Sequence, residues 1–286
     1  MNVTRISSRG LLYSCDHHSK SPVSSSIDVN HLTGDLSGTI YVCTESLQYF
    51  IETCLPRIKK PFVLVSGDSD ITVEPSYPIY APLFASPYFR AWYGQNMIYP
   101  IEKCFQLPIG LDYHTVWANP NHKWLLPGES SLPSDQEAQI LSIPQSSDRL
   151  CKIYVNFGAL DKYGDRRAAL ATIPQNLMTL HLKHVPRSLV WKFMAKHAFV
   201  LSPFGNGLDC RRTWEALILG AIPILRGVHF KNLLEGLPVL IVNSWSDVTP
   251  ELLQSTMKTF ALKKWDLEKL TLDWWITRIH RSLRDS

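Results

Sequence analysis

The stretch that most constrains this chain is Phe199 to Leu225, FVLSPFGNGLDCRRTWEALILGAIPIL. An apolar run at Phe199, Val200 and Leu201 leads into Gly205, Asn206 and Gly207, which tolerate the backbone angles of a tight turn. Trp214, Leu217, Ile218 and Ala221 then recur at helical spacing, and Ile222 to Leu225 is a second apolar run. Strand, turn, helix and strand in that order read as a βαβ unit of a parallel sheet, which places the chain among α/β folds. Asp209 is the predicted N-cap, and Gly220 with Pro223 ends the helix. Arg211 and Arg212 sit in the first helical turn, where cations oppose the helix dipole by about 0.3–1 kcal/mol. A bound anion would remove that conflict. The alternative is an Arg211–Glu215 pair at i,i+4 with Arg212 solvated.

The length of 286 residues and 45% hydrophobic content suit two modest domains or one large one. A net charge of +4 without a Lys/Arg block gives no support for nucleic-acid binding, whereas an anionic small-molecule substrate accounts for the bias. Cys15, Cys43, Cys54, Cys104, Cys151 and Cys210 are scattered with no CxxC spacing, which reads as reduced thiols in a cytoplasmic, soluble protein. No stretch reaches the ~20 apolar residues of a membrane span. Residues 1–38, rich in Ser, His and Asp, read as a loosely ordered arm. His17 and His18 are adjacent and would point in different directions, and the His181/His184 pair lacks a third ligand nearby, so no metal role is assigned.

Along the chain, strands are expected at Thr39–Cys43, Pro61–Val65, Phe105–Gly110, Lys152–Asn156, Met178–Leu182 and Pro238–Val242. Helices are expected at 46–58, 188–196, 249–263 and 267–283. Trp92 and Tyr93 read as core or scaffold. Residues 127–149 shift toward Pro, Ser and Asp, which marks a linker between a unit of residues 1–145 and one of 146–286. Arg166 and Arg167 precede a helix after a Gly-Asp turn, so that one of them could turn back into a cleft.

Ser66-Gly67-Asp68-Ser69-Asp70 ends the second strand, where α/β sheets place their ligands. Three readings compete: a DxD pair holding a divalent ion and a diphosphate, a carboxylate general base, and an Asx turn with solvated acids. Asn96 and His114 are candidates for hydrogen bonds to a polyhydroxyl ligand.

The phrase Ser202-Pro203, Gly205-Asn206-Gly207, Asp209, Arg212, Trp214-Glu215-Ala216-Leu217, Gly220 and Ile222-Pro223-Ile224 resembles the signature of exostosin-like glycosyltransferases. SGDSD, Trp92 to Asn96 and the LPIGLD segment before it follow the order seen in the N-terminal half of that family. The resemblance implies a GT-B-like fold, two Rossmann-like domains facing a central cleft. It implies an inverting, UDP-sugar-dependent transferase, with UDP-xylose the best guess and a glycan as acceptor, needing no cofactor or metal. Its donor residues would be Arg166, Gly205, Asn206, Gly207, Asp209, Arg211, Arg212 and Glu215, the last on the ribose. Asp70, in preference to Asp68, would be the base. Members in eukaryotes are typically Golgi-anchored, so the resemblance implies a soluble relative, bacterial or viral. A metal-dependent GT-A-type enzyme and a non-catalytic glycan-binding protein are the other readings.

Overall fold

The computed structural model describes residues 2–20, 29–146, 148–158, 162–181, 183–227 and 229–284. Two parallel sheets organise them. The first holds β1 (Gly38–Cys43), β2 (Phe62–Gly67), β3 (Phe89–Gln95) and β4 (Cys104–Leu107), side by side in chain order. The second holds β5 (Leu150–Val155), β6 (Met178–Leu180), β7 (His197–Leu201), β8 (Ile222–Arg226) and β9 (Leu240–Val242), in the order β6-β5-β7-β8-β9. Every strand pairing is parallel. Parallel strands are covered on both faces, which is why β2 and β7 read as unbroken apolar runs and are buried along their whole length. This mixed α/β arrangement is compatible with two Rossmann-like units.

The expected βαβ unit is present as β7, the helix Arg211–Ile218 and β8. Gly220, at φ 73, turns the chain from the helix into the strand. The helix cap differs from expectation: Cys210 occupies the N-cap position and Asp209 lies outside the helix, its carboxylate taken by other donors described below. Strand β3 was not expected. Its aromatic residues are core, with Trp92 and Tyr93 buried.

Residues 2–20 are not a loose arm. The short helix Ser8–Tyr13 buries Leu11 and Leu12, and Ile6 is fully enclosed. Ile6 N donates to Leu270 O and Leu272 N to Thr4 O, so that this segment joins the far end of the chain. The segment 127–149 is likewise more than a linker. It contains the helix Pro133–Leu141, whose Glu137 carboxylate accepts from Thr4 N, Thr4 Oγ1, Arg5 N and Tyr113 Oη.

The terminal helix Leu272–Arg284 packs on β1, β2 and β3 of the first sheet. Tyr93 Oη there meets Arg278 O at 3.3 Å and Ser282 Oγ at 2.8 Å. One apolar cluster, running from Val63 and Tyr93 through Trp191 and Trp214 to Trp275 and Ile279, fastens the two sheets into a single body. Among the described residues no helix is long and apolar enough to cross a membrane.

Candidate functional site

A cleft of about 700 Å³ opens between the carboxyl ends of the two sheets. In the second sheet the strand order reverses between β5 and β7, and open parallel sheets bind ligands in the crevice beyond that switch point. Asn156, Phe157 and Gly158 follow β5 there, and the loop 202–210 follows β7. Opposite them, Asp68, Ser69 and Asp70 leave β2, and Ile109 follows β4.

Arg212 is the cation at the heart of the switch point. It is 92% buried by its 8% exposure, its Nε donates to Asn156 O at 3.0 Å, and its guanidinium lies 5.2 Å from the Phe157 ring centre. Its Nη1 has no hydrogen-bond partner, and no carboxylate pairs with it among the described residues. Burial lowers its pKa to about 10, with Arg166 and Arg211 adding to the effect, so it remains charged at neutral pH. Solvation of Arg212, one of the sequence alternatives, is therefore excluded.

Arg211 does take the i,i+4 pairing with Glu215, its Nη1 donating to Glu215 Oε1 at 2.5 Å. Burial opposes the charged form of Arg211, yet Glu215 and then Asp112 outweigh it and raise its pKa. Glu215 itself is 1% exposed, and its Oε2 is buried without a hydrogen-bond partner. Arg166 lines the cleft beside Gly205, where a Cβ would come within 2.7 Å of Arg166 Nη2. Asn206 is exposed in the same loop. A Cβ at Gly207 would stand 3.0 Å from Asn96 Nδ2 and 3.1 Å from Asp70 Oδ1, tighter than ordinary van der Waals contact.

Asp209 lines the cleft, and its carboxylate is bonded within the fold. Both carboxylate oxygens accept from Trp214 Nε1 at 3.0 Å, and Oδ2 also accepts from Ile109 N at 2.8 Å, which ties the loop after β7 to the end of β4. Burial pushes its pKa up to about 6 against the pull of these donors. Asn96 has a parallel task and is not an acceptor contact. It is fully buried, its Nδ2 donates to Ser69 O, and its Oδ1 accepts from Asp209 N.

The two aspartates after β2 have different surroundings. Asp68 is 6% exposed at φ 58, and its Oδ2 pairs with Arg9 Nη1 at 2.8 Å. Gln95 Oε1 accepts from Asp68 N. Asp70 is exposed and faces the Gly207 loop. Ser69 Oγ donates to Glu45 Oε1 at 2.7 Å and holds the turn between them.

Toward the other end of the cleft, His114 stands 3.4 Å from Asp112, and Asp112 also pairs with Arg187. Burial would raise the Asp112 pKa, but His114, Arg187 and Arg211 hold it well below the usual carboxylate range. Trp124 lies 4.6 Å from the Arg187 guanidinium and 4.4 Å from that of Arg211. Among the described residues no group of three His, Cys, Asp or Glu comes together as a metal site.

The sequence reading missed Arg9, Arg187 and Asp165. Asp165 accepts from Phe204 N, Arg226 Nε and Trp245 Nε1, and so fixes the loop that follows β7. Its place next to the Gly164 turn was the available clue. Arg9 had none, because its partner lies 59 positions away in the chain. No protein-family model and no curated protein matches this chain.

Proposed function

We propose that the protein is an inverting glycosyltransferase of GT-B type that moves a sugar from a UDP-sugar, with xylose the leading candidate, to a glycan hydroxyl. The observation that carries this reading is Arg212, a buried guanidinium at the switch point of a parallel sheet that no carboxylate among the described residues pairs with. A diphosphate supplies the missing negative charge, and the Gly205–Gly207 turn borders the cleft in which it would lie. Arg166 is the second cation for it, and Arg211, already committed to Glu215, contributes at longer range.

Catalysis is a single displacement. The acceptor oxygen attacks the anomeric carbon as the bond to the diphosphate oxygen breaks, and the released electron pair stays on UDP. The hydroxyl proton passes to Asp70, which stands exposed on the opposite wall. The growing charge on the leaving phosphate is met by a cation fixed in advance, so little reorganisation is needed at the moment of reaction. Asp68 is a poor candidate for that proton, since Arg9 occupies its carboxylate. The same ion pair disfavours a metal held by Asp68 and Asp70 together.

Thermal melts with a panel of UDP-sugars test the reading first, because a bound donor raises stability by mass action. Donor turnover surviving excess EDTA and lost in Asp70→Asn is the expected result. Turnover abolished by EDTA and restored by manganese would turn the assignment to the metal-dependent enzyme. Glycan binding with no donor turnover at all would leave only a binding protein.

A further inference from the structure

Asn96 directly follows β3, is fully buried and lies outside the cleft lining, yet it bonds to both walls of the cleft. Its Nδ2 donates to Ser69 O at 2.9 Å, and its backbone oxygen accepts from Val73 N at 3.0 Å. Asp70 lies between those two tie points, so the loop that carries it is pinned on either side by one residue. Ser69 Oγ tightens the span, accepting from Ile71 N at 3.1 Å while it donates to Glu45 Oε1.

The same amide reaches the other wall. Asp209 N donates to Asn96 Oδ1 at 2.9 Å, and Asp209 stands immediately before Cys210, the N-cap of the helix whose first turn carries Arg212. Gly207 of that loop faces both the Asn96 amide and Asp70 Oδ1. Asparagine suits the place because one amide offers a donor and an acceptor at once. Its φ of 52 also falls in the left-handed region, which Asn enters more readily than most residues.

We infer that Asn96 is a positioning residue that fixes the distance between Asp70 and the phosphate held at Arg212. The inference rests on the transferase reading above, in which those two groups act at the same moment from opposite walls. Asn96 meets neither substrate and acts through Ser69 on one side and Asp209 on the other. A single displacement is steeply sensitive to such spacing, and a misplacement of about 1 Å can cost on the order of 10²-fold in rate. Donor affinity, by contrast, belongs to Arg212 and Arg166 on the second wall and does not need the bridge.

The test compares Asn96→Gly and Asn96→Asp with the parent, reading hydrolysis of a panel of UDP-sugars, which needs no glycan, and the Kd of UDP by titration. Glycine accepts the left-handed φ while deleting both side-chain bonds. In Asn96→Gly, kcat should fall about tenfold or more with the Kd of UDP nearly unchanged. Aspartate keeps an oxygen for Asp209 N, but when ionised it sets a second oxygen against Ser69 O, and when protonated it donates to it. The kcat of Asn96→Asp, taken as a ratio to the parent at each pH, should therefore climb as pH falls, since Asp68, Asp70 and Asp209 are common to both proteins. A folded Asn96→Gly with parental kcat, or one losing UDP affinity as much as kcat, would overturn the inference. Should that variant fail to fold, the Asn96→Asp ratio decides, and a ratio flat across pH would overturn it. Turnover in the parent with unaffected variants would sink the positioning role alone. A parent that hydrolyses no UDP-sugar and binds no UDP would sink the transferase reading and this inference with it.

Discussion

The two walls of the cleft handle charge in opposite ways. On the first sheet, buried Asp68 has a guanidinium at 2.8 Å, supplied by Arg9 of the helix Ser8–Tyr13. On the second sheet, buried Arg212 has a backbone carbonyl, an aromatic ring and, among the described residues, no carboxylate paired with it. A buried charge is tolerated when paired, and it is costly when not. The first wall is thus neutralised by the protein itself, whereas the second presents a cation that the proposed diphosphate would match. One charge shapes a loop and the other is, in the proposed function, the anchor for the donor, although both sit at the carboxyl end of a parallel strand.

The sharpest way to break this comparison is to remove Arg9. Arg9→Met should cost about 3–5 kcal/mol in chemical denaturation, because it strands the Asp68 charge in a buried site. The double variant Arg9→Met/Asp68→Leu should recover much of that loss, and a single variant as stable as the parent would show that the pair is not the support claimed. Removing Arg212 should act on function instead. Arg212→Ala should lower donor turnover by about 10²–10³-fold and abolish stabilisation by UDP, with stability equal to or above that of the parent. A large loss of stability in that variant would mean that the guanidinium is already satisfied within the fold.

Asp209 gives the smallest and most gradual effect. Its folded pKa of about 6 lies above the ordinary 3.8, so the protonated form is favoured by folding. Its contribution is fully present below pH 3.8 and is lost as pH rises through 6. Relative to Asp209→Asn, the parent should therefore lose stability across that window, by at most about 3 kcal/mol. Parallel stability curves for the two proteins would remove the claim that burial dominates at this carboxylate.

Much of the fold was legible where burial is continuous along the chain. Strands β1, β2, β5, β7 and β8 announce themselves as apolar runs, and the β7–helix–β8 unit carries its turn residues in order. Strand β3 was hidden because Arg90, Gly94 and Gln95 interrupt its apolar residues and prolines precede it. The segment before residue 20 misled for a different reason. Ile6 and Leu11 belong to a core that includes Leu111, Leu270 and Leu272, and no local pattern encodes partners so distant.

At the site, the pairing of Arg211 was readable because Glu215 stands four residues on, whereas Arg212 faces Ala216 at that spacing. The same arithmetic that settles one arginine leaves the other open. Asp209 misled because an acid before a helix ordinarily caps it, and here Trp214 and Ile109 claim its oxygens first. Asn96 misled because exposure cannot be read from residue type.

The return of the helix Leu272–Arg284 to the first sheet bears on the order in which the protein assembles during synthesis. Strands β1 to β4 leave the ribosome early, yet the helix that covers them is translated after β9. The earlier half thus keeps a bare apolar face until the last helix is made, an exception to the usual N-terminal-first sequence of events. A chaperone acting on the nascent chain would therefore find its target on the part made first.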